Sequence, residues 1–176
     1  FYSGMLSFRA IYSGEVTNLS DDGTANCYIV PSAGHYRFNV SVIGNGTEGI
    51  IEDASFHTTN PAISPVSVSL LWEDKQGIIT YLGYLPDTKE IYIVTSEMEG
   101  NALIAAKDGS GTIIWSWHIW CTDQPAIQTY YNHIHKPFEV MDRNLGATSA
   151  TPGDAGALGL LYQWGRKDPF TQDEEK

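Results

Sequence analysis

The sequence is poor in positive charge. It has 10 Lys and Arg residues against 21 Asp and Glu residues, and its formal net charge at pH 7 is −11. A protein that neutralises a phosphate backbone or an anionic lipid surface needs clustered basic side chains, and this sequence has no such cluster. Nucleic acid is therefore not expected as a partner.

Long hydrophobic runs are also missing. The longest apolar runs are far shorter than the roughly 20 residues that cross a bilayer as a helix. The amino end has no charged-then-apolar leader. We expect no membrane span in this chain.

Cysteine is scarce, since Cys27 and Cys121 are the only two. They form no C-x-x-C pair and have no histidine at metal-ligand spacing, so a zinc site is not expected. Each falls in a predicted strand. A disulfide bond and two buried thiols are both consistent with the sequence, and these alternatives stay open at this point.

Known catalytic motifs are absent from the sequence. It has no G-x-S-x-G elbow, phosphate loop, dinucleotide glycine pattern or H-E-x-x-H. His133 and His135 would share one face of an extended segment and would need a carboxylate to bind a metal, but loop histidines without a metal are commoner. A pair of carboxylates for glycoside hydrolysis would be defined only in space, so a glycan-active hydrolase fragment stays open as an alternative. We expect no cofactor and no metal ion.

What the sequence does contain is a series of short β-branched and aromatic runs separated by turn residues. Tyr36, Phe38, Val40 and Val42 alternate with polar residues, which is typical of a strand with one buried face. The pattern predicts a mainly β chain, an antiparallel β-sandwich of Ig-like or transthyretin-like Greek-key type. The predicted strands are Met5 to Tyr12, Ala25 to Val30, Gly34 to Val42, Val66 to Glu73, Ile78 to Leu85, Glu90 to Thr95, Asn101 to Lys107 and Gly111 to Thr122.

The regular series of predicted strands ends near Asp123, and the sequence that follows is polar and aromatic. We predict a β-sandwich domain over residues 1–123 and an irregular carboxy-terminal extension over residues 124–176, for which a truncated second domain is the alternative. The extension contains at most a short helix, around Ala155 to Trp164, where Gly156 and Gly159 each cost about 1 kcal/mol against alanine.

Three of the five tryptophans lie in the stretch "WSWHIW", at residues 115–120. In a strand, Trp115 and Trp117 point to one face and His118 and Trp120 to the other. The stretch is favoured as a core strand buried on both faces, with each indole N–H meeting a backbone carbonyl. The alternative is a sugar-binding platform, for which the candidate ligand-binding residues are Trp120, Tyr130, Tyr131 and Trp164, with Trp120 and Trp164 expected to be partly exposed.

Several blocks of the sequence resemble a known family. "TANCYIVPSAGHYRF", "GNALIAAKDGSGTIIWSWHIWCTD" and "VMDRNLGATSATPGDAGALGLLYQWGRKDPF" are similar, in content and order, to the carboxy-terminal module of Bacteroidetes fimbrillin-like surface proteins. The resemblance covers about residues 24–170. Two parts of the third block, "DRNLGA" and "YQWGRKDPF", also resemble the major paralogous domain of secreted Fibrobacter proteins.

The resemblance implies a non-enzymatic, extracellular β module of the outer membrane surface that works in a pilus or in adhesion. Its partners would be other subunits, bound by strand addition, or a host glycan or protein. In the "MDRNLGA" block we expect Asp142 and Arg143 to form a charge pair that orients the loop. We expect Tyr162 and Trp164 to pack against "WSWHIW".

Overall fold

The computed structural model describes residues 14–46 and 61–170. These residues form ten strands, and the chain is mainly β, as predicted. The strands are β1 (Thr17–Asn18), β2 (Cys27–Val30), β3 (Gly34–Asn39), β4 (Ser67–Glu73), β5 (Ile79–Leu85), β6 (Glu90–Thr95), β7 (Gly100–Lys107), β8 (Ile113–Cys121), β9 (Ile127–Tyr131) and β10 (Pro137–Met141).

The strands form two four-stranded sheets and one hairpin. The first sheet has the order β1-β3-β6-β5, the second sheet has the order β2-β8-β7-β4, and β9 pairs with β10 alone. The expectation of wholly antiparallel pairing is wrong, because β1–β3 and β2–β8 are parallel and both large sheets are mixed. The reason is that β2 does not form a hairpin with β3; it crosses to the other sheet and pairs with β8.

The main hydrophobic core draws residues from both four-stranded sheets. Tyr36, Phe38 and Val40 are buried, as their alternation predicts. The ring of Phe38, on the first sheet, lies with its centroid 4.8 Å from that of Tyr28 and 5.8 Å from that of Trp117, both on the second sheet. Burying each such side chain contributes about 1.5 to 3 kcal/mol, so these aromatic contacts are a major part of the core's stabilisation.

Most predicted strands are confirmed with ends that move by a few residues. The prediction at Met5 to Tyr12 lies outside the described residues. The predicted turn after Lys107 is present, and Asp108 Oδ1 accepts hydrogen bonds from the backbone N–H groups of Ser110 and Thr112, both at 2.9 Å. Strands β1, β9 and β10 were not predicted, because they are short or polar and carry no clear two-residue period.

The extension predicted as irregular over residues 124–176 contains the hairpin β9–β10, so that expectation is wrong for residues 127–141. Residues 142–170, which we call the carboxy-terminal segment, contain a single isolated bridge, between Leu161 and Phe170. Its one described helical turn is a 3-10 turn at Ala155–Ala157, much shorter than the predicted helix. Gly159 has a φ of +74°, in the left-handed region, so a right-handed helix cannot continue through it. Within residues 14–46 and 61–170, no helix is long and apolar enough to cross a membrane.

Candidate functional site

A line of polar side chains crosses the second sheet on its outer face, the face that turns away from the main core. The line consists of Cys27 on β2, His118 on β8, Asn101 on β7 and Asp74 just after β4. Cys27 Sγ lies 3.2 Å from His118 Nδ1, and His118 Nε2 lies 2.9 Å from Asn101 Oδ1. Asn101 Nδ2 donates to Asp74 Oδ2 at 2.8 Å. We call these four residues the polar line.

The hydrogen bonds of the polar line determine where its protons lie. Asn101 Nδ2 donates both to the Asp74 carboxylate and to the carbonyl of Gly146, which only accept. Asn101 Oδ1 must therefore accept, and His118 Nε2 carries the proton that it accepts. His118 Nδ1 is then the unprotonated nitrogen and accepts the S–H of Cys27. The line holds a neutral imidazole and a protonated thiol.

Burial supports the same protonation states. Desolvation lowers the pKa of His118 to about 4, with a smaller raising effect from Asp168 and a lowering effect from Lys167. Desolvation also raises the pKa of Cys27 to about 12. Both shifts favour the uncharged form of a group removed from water. Cys27 and His118 are therefore uncharged at pH 7, and the hydrogen bonds of the polar line are satisfied within the protein.

The carboxy-terminal segment covers the polar line. Trp120 stacks on His118 with ring centroids 6.4 Å apart, and its Nε1 donates to the carbonyl of Ala147 at 3.1 Å. Gly146 has a φ of +79°, and a Cβ there would lie 2.5 Å from Leu160. The same Cβ would lie 3.1 Å from Asn101 Oδ1 on β7, so glycine at this position leaves room both for Leu160 within the segment and for the sheet.

A second contact between the segment and the sheet lies at Ser116. Ser116 Oγ is 2.7 and 2.8 Å from the two carboxylate oxygens of Asp168, and Lys167 Nζ donates to the carbonyl of Ser116 at 2.9 Å. Lys167 also forms an ion pair with Asp168 and lies 4.7 Å from the ring centroid of Trp115. Hydrogen bonds thus join the first part of the segment to β7 and β8, and the last part of the segment to β8.

The polar line has the residue types of a cysteine-hydrolase triad, since a cysteine faces a histidine that an asparagine orients. Such a nucleophile works as a thiolate, activated by a lowered pKa. Here the pKa of Cys27 is raised to about 12 instead. Cys27 therefore lacks the lowered pKa that activates such a nucleophile, and the hydrogen bonds of the polar line link the second sheet to Gly146 of the carboxy-terminal segment.

The two cysteines are free thiols. They lie on neighbouring strands but on opposite faces of the second sheet, because Cys27 faces His118 on the outer face and Cys121 belongs to the main core. A disulfide would have to pass through the sheet, so the disulfide alternative is wrong.

We expect native Cys27 and Cys121 to react with a thiol-specific reagent at pH 8 at least about a hundredfold more slowly than the same thiols in urea, because only the thiolate reacts. The pKa of each is raised to about 12 by desolvation. Timed titration with Ellman's reagent measures this. Rapid labelling of one thiol in the folded protein would contradict the raised pKa of that cysteine.

The aromatic stretch at 115–120 is a two-faced buried strand, as predicted. Trp117 is 0% exposed in the main core, and Trp120 is 1% exposed beneath the carboxy-terminal segment. The expected partial exposure of Trp120 is wrong, and Trp120 is removed from the set of candidate ligand contacts. Trp115 is partly buried, and its indole N–H donates to Asn26 Oδ1 at 3.0 Å. Trp117 Nε1 is buried with no partner among the described residues, unlike the expectation.

The other aromatic candidates lie at the surface. Trp164 is 102% exposed in a turn closed by a 3.1 Å hydrogen bond from the N–H of Arg166 to the carbonyl of Gln163. Its expected packing against β8 is therefore wrong. Tyr162 is 46% exposed, and partial burial followed by the proximity of Cys27 raises its pKa to about 12.

The expected pair of Asp142 and Arg143 is present. Arg143 Nε lies 2.8 Å from Asp142 Oδ1, and the Arg143 side chain is 5% exposed. Arg143 also contacts Asp123 and donates to Thr122 Oγ1 at 3.1 Å. These bonds tie the start of the carboxy-terminal segment to the residues that follow β8. The hydrogen bond from Arg143 lowers the pKa of Asp142 below its usual value.

The hairpin β9–β10 is the most exposed apolar element among the described residues. All ten of its strand residues are exposed. Tyr130 and Phe138 stack on one face with ring centroids 5.9 Å apart, and Tyr131 is 66% exposed on the other. His133 and His135 lie in its turn, where His135 has a φ of +58°, so the expectation that they share a face of an extended segment is wrong.

A polar cleft of about 570 Å³ opens beside Asn101, between the second sheet and the carboxy-terminal segment. Its walls include Asp74, Glu99 and Asp154, together with Lys75, whose Nζ donates to the carbonyl of Glu99 at 2.7 Å. Among the described residues, no group of three or more His, Cys, Asp or Glu side chains is arranged to hold a metal ion.

The sequence alone did not reveal the polar line. Its four residues are spread from position 27 to position 118, and parallel pairing of β2 with β8 is what brings Cys27 opposite His118. One signal was present: His118 and Trp120 share a face with a polar neighbour, Ser116, inside a strand that is otherwise apolar. Comparison with protein-family models, with curated proteins and with solved structures finds no match to this chain.

Proposed function

We propose that this chain is a non-enzymatic binding module of an extracellular surface protein that works in a pilus or an adhesin. The observation that carries the proposal is the hairpin β9–β10, which presents Tyr130, Tyr131 and Phe138 to solvent. A two-stranded hairpin alone is marginally stable in water, and contiguous exposed apolar side chains mark interaction sites. A partner that covers the hairpin would both stabilise its two strands and remove its apolar side chains from water.

The proposal includes the way in which the two four-stranded sheets pack and connect. The two four-stranded sheets would be the layers of a β-sandwich with Ig-like or transthyretin-like Greek-key connections. The contacts of Phe38, on the first sheet, with Tyr28 and Trp117, on the second, support two packed layers. A rigid double layer would present the hairpin as a projection that follows β8.

The non-enzymatic part of the proposal is supported by the state of the polar line. A protonated Cys27 thiol and a neutral His118, beneath the carboxy-terminal segment, form a network whose hydrogen bonds are made within the protein. The location on the outer surface of a cell is supported by the resemblance of the "DRNLGA" and "YQWGRKDPF" blocks.

A second candidate function is carbohydrate binding. Trp164 favours it, because an indole that is 102% exposed in a turn presents a free face to a sugar ring. Tyr130 and Tyr131, which are 49% and 66% exposed, are the other aromatic side chains available for stacking. This reading does not need Trp120.

One experiment separates the two functions. The protein that contains this chain is expressed in the organism that encodes it, and intact cells are stained with an antibody and treated with a protein cross-linker. We expect surface staining and cross-linked complexes that the double variant Tyr130→Ser with Phe138→Ser loses and that Trp164→Ala keeps. Absence of staining on intact cells would contradict the surface location. Loss of complexes only in Trp164→Ala, with competition by soluble saccharide, would favour carbohydrate binding.

A further inference from the structure

The two edges of the hairpin β9–β10 differ in what they offer a further strand. The N–H of Asn132 donates to the carbonyl of Lys136, and the N–H of Asp142 donates to the carbonyl of Ala126. Since hydrogen-bonded and non-hydrogen-bonded pairs alternate along an antiparallel ladder, the pairs built on Ile127, Thr129 and Tyr131 are the non-hydrogen-bonded ones. The backbone N–H and C=O groups of these three residues point away from β10, toward the edge of β9 with which none of the described strands pairs.

The matching edge of β10 is a poorer acceptor of a strand. Its outward-pointing residues are Pro137, Glu139 and Met141, which pair with Tyr131, Thr129 and Ile127. Pro137 has no N–H to donate. Glu139 is charged, whereas β9, with the sequence IQTYY, carries no charge. The edge of β9 is therefore the one suited to strand addition.

We propose that the edge of β9 is a homodimer interface, on which β9 of a second copy of this chain pairs antiparallel about a two-fold axis at Thr129. The proposal deepens the proposed function by naming the partner of the hairpin, and rests on it only in that respect. The result is a four-stranded sheet in which β9 of each copy is central and β10 lies at each rim. The pairing forms about six backbone hydrogen bonds, two for each outward-facing pair.

The side chains of β9 are complementary to themselves in this register. Ile127 lies opposite the partner's Tyr131, and Thr129 lies opposite the partner's Thr129. Aromatic with β-branched pairs and Thr with Thr pairs are among the favourable cross-strand pairs. Pairing through β10 about Glu139 would instead place Glu139 opposite the partner's Glu139, and like charges directly opposite are destabilising. Pairing through β9 is thus favoured over pairing through β10 for two reasons: β9 has all of its outward-pointing N–H donors, and it carries no charge.

Charge also argues for the position of the interface. Each copy has a formal net charge of −11, so two copies repel one another in general. An interface built from an uncharged strand keeps acidic side chains out of the contact. Salt screens the remaining repulsion, so raising the ionic strength should strengthen the association. An interface held by ion pairs would respond in the opposite direction.

The test is sedimentation velocity of the full 176-residue chain over a wide concentration range. We expect a reversible monomer–dimer equilibrium that shifts toward the dimer at higher salt. Thr129→Pro removes the central outward-pointing N–H and leaves the hydrogen bonds within the hairpin intact. It should raise the dissociation constant at least about tenfold, roughly the effect of losing 1.4 kcal/mol. Thr129→Lys, which places two like charges at the axis, should do the same.

The matched control is Glu139→Pro, which makes the same backbone change at the edge of β10 and should leave the dimer intact. Circular dichroism shows that each variant is folded. A wild-type chain that stays monomeric, or equal weakening by Thr129→Pro and Glu139→Pro, would overturn the proposal. A monomeric chain that still forms hairpin-dependent complexes on intact cells would refute the homodimer and leave the proposed function standing. A dimer in solution without surface staining would support the homodimer and contradict the surface location in the proposed function.

Discussion

Replacing Trp120 by alanine is expected to lower the free energy of unfolding by about 3 to 5 kcal/mol, the usual cost of truncating a buried tryptophan. Trp120 is 1% exposed, stacks on His118 and donates to the carbonyl of Ala147. The substitution removes the contact area between the second sheet and the carboxy-terminal segment, and it leaves that carbonyl without its donor. The expected loss is a large share of the stability of a typical domain.

The matched control is Trp164→Ala, which removes the same side chain from a position that is 102% exposed. Its expected effect on the free energy of unfolding is within about 0.5 kcal/mol. Urea denaturation followed by far-ultraviolet circular dichroism compares the two variants without relying on tryptophan emission. Equal, small losses in both would show that Trp120 does not carry the contact between the sheet and the segment.

The second large effect is a loss of stability at mildly acidic pH that depends on His118. Its pKa is about 4 in the folded protein and 6.5 as the unperturbed value. Between these values the unfolded chain binds more protons than the folded one, so the free energy of unfolding falls as the pH is lowered from 6.5 toward 4. The part due to His118 is fully present above pH 6.5, and a difference of this size corresponds to roughly 3 kcal/mol.

Other charged groups around His118 do not change this sign. Desolvation is the largest cause of its lowered pKa, Asp168 opposes the shift and Lys167 adds to it. Asp74 reaches the ring only through Asn101, and Cys27 stays protonated throughout this pH range. The carboxyl groups of Asp108, Asp123 and Asp142 have pKa values lowered from 3.8, so the stability that they contribute is lost only at lower pH.

The measurement is a series of urea denaturation curves between pH 7.5 and pH 4, for the wild-type chain and for His118→Gln. The wild-type chain should lose stability over this interval. The variant should start less stable, because it disturbs the polar line, and should show a much smaller dependence on pH. His133→Gln, in the turn of the hairpin, is the control and should follow the wild-type curve. The same slope in His118→Gln and the wild type would assign the effect to other groups.

Sequence reasoning succeeded where a pattern is local. The alternation of Tyr36, Phe38 and Val40 predicted a strand with one buried face, and the Asp108 to Gly111 turn predicted the β7–β8 hairpin. Both depend on residues that are near neighbours in the chain, so the physics that selects them acts within a few residues. The division of the chain after residue 123 stays a prediction.

Sequence reasoning failed for features that depend on which strands, far apart in the chain, pair or pack together. The exposure of Trp120 was misjudged because its cover, the carboxy-terminal segment, begins more than twenty residues later, and a strand pattern cannot say what lies on its second face. The parallel pairing of β2 with β8 was missed because register between distant strands leaves no local trace.

The sequence by itself determined that the chain is mainly β, that "WSWHIW" is a strand with two aromatic faces, and that at most a short helix lies around Ala155 to Trp164. These follow from residue period, turn chemistry and helix-breaking glycines. Only the tertiary structure decided that Cys27, His118, Asn101 and Asp74 meet in one line, that Trp120 is buried and Trp164 exposed, and that β9 and β10 pair only with each other among the described strands. Hydrogen-bond partners and burial are properties of pairs of residues far apart in the chain, and only the folded arrangement of strands brings those pairs together.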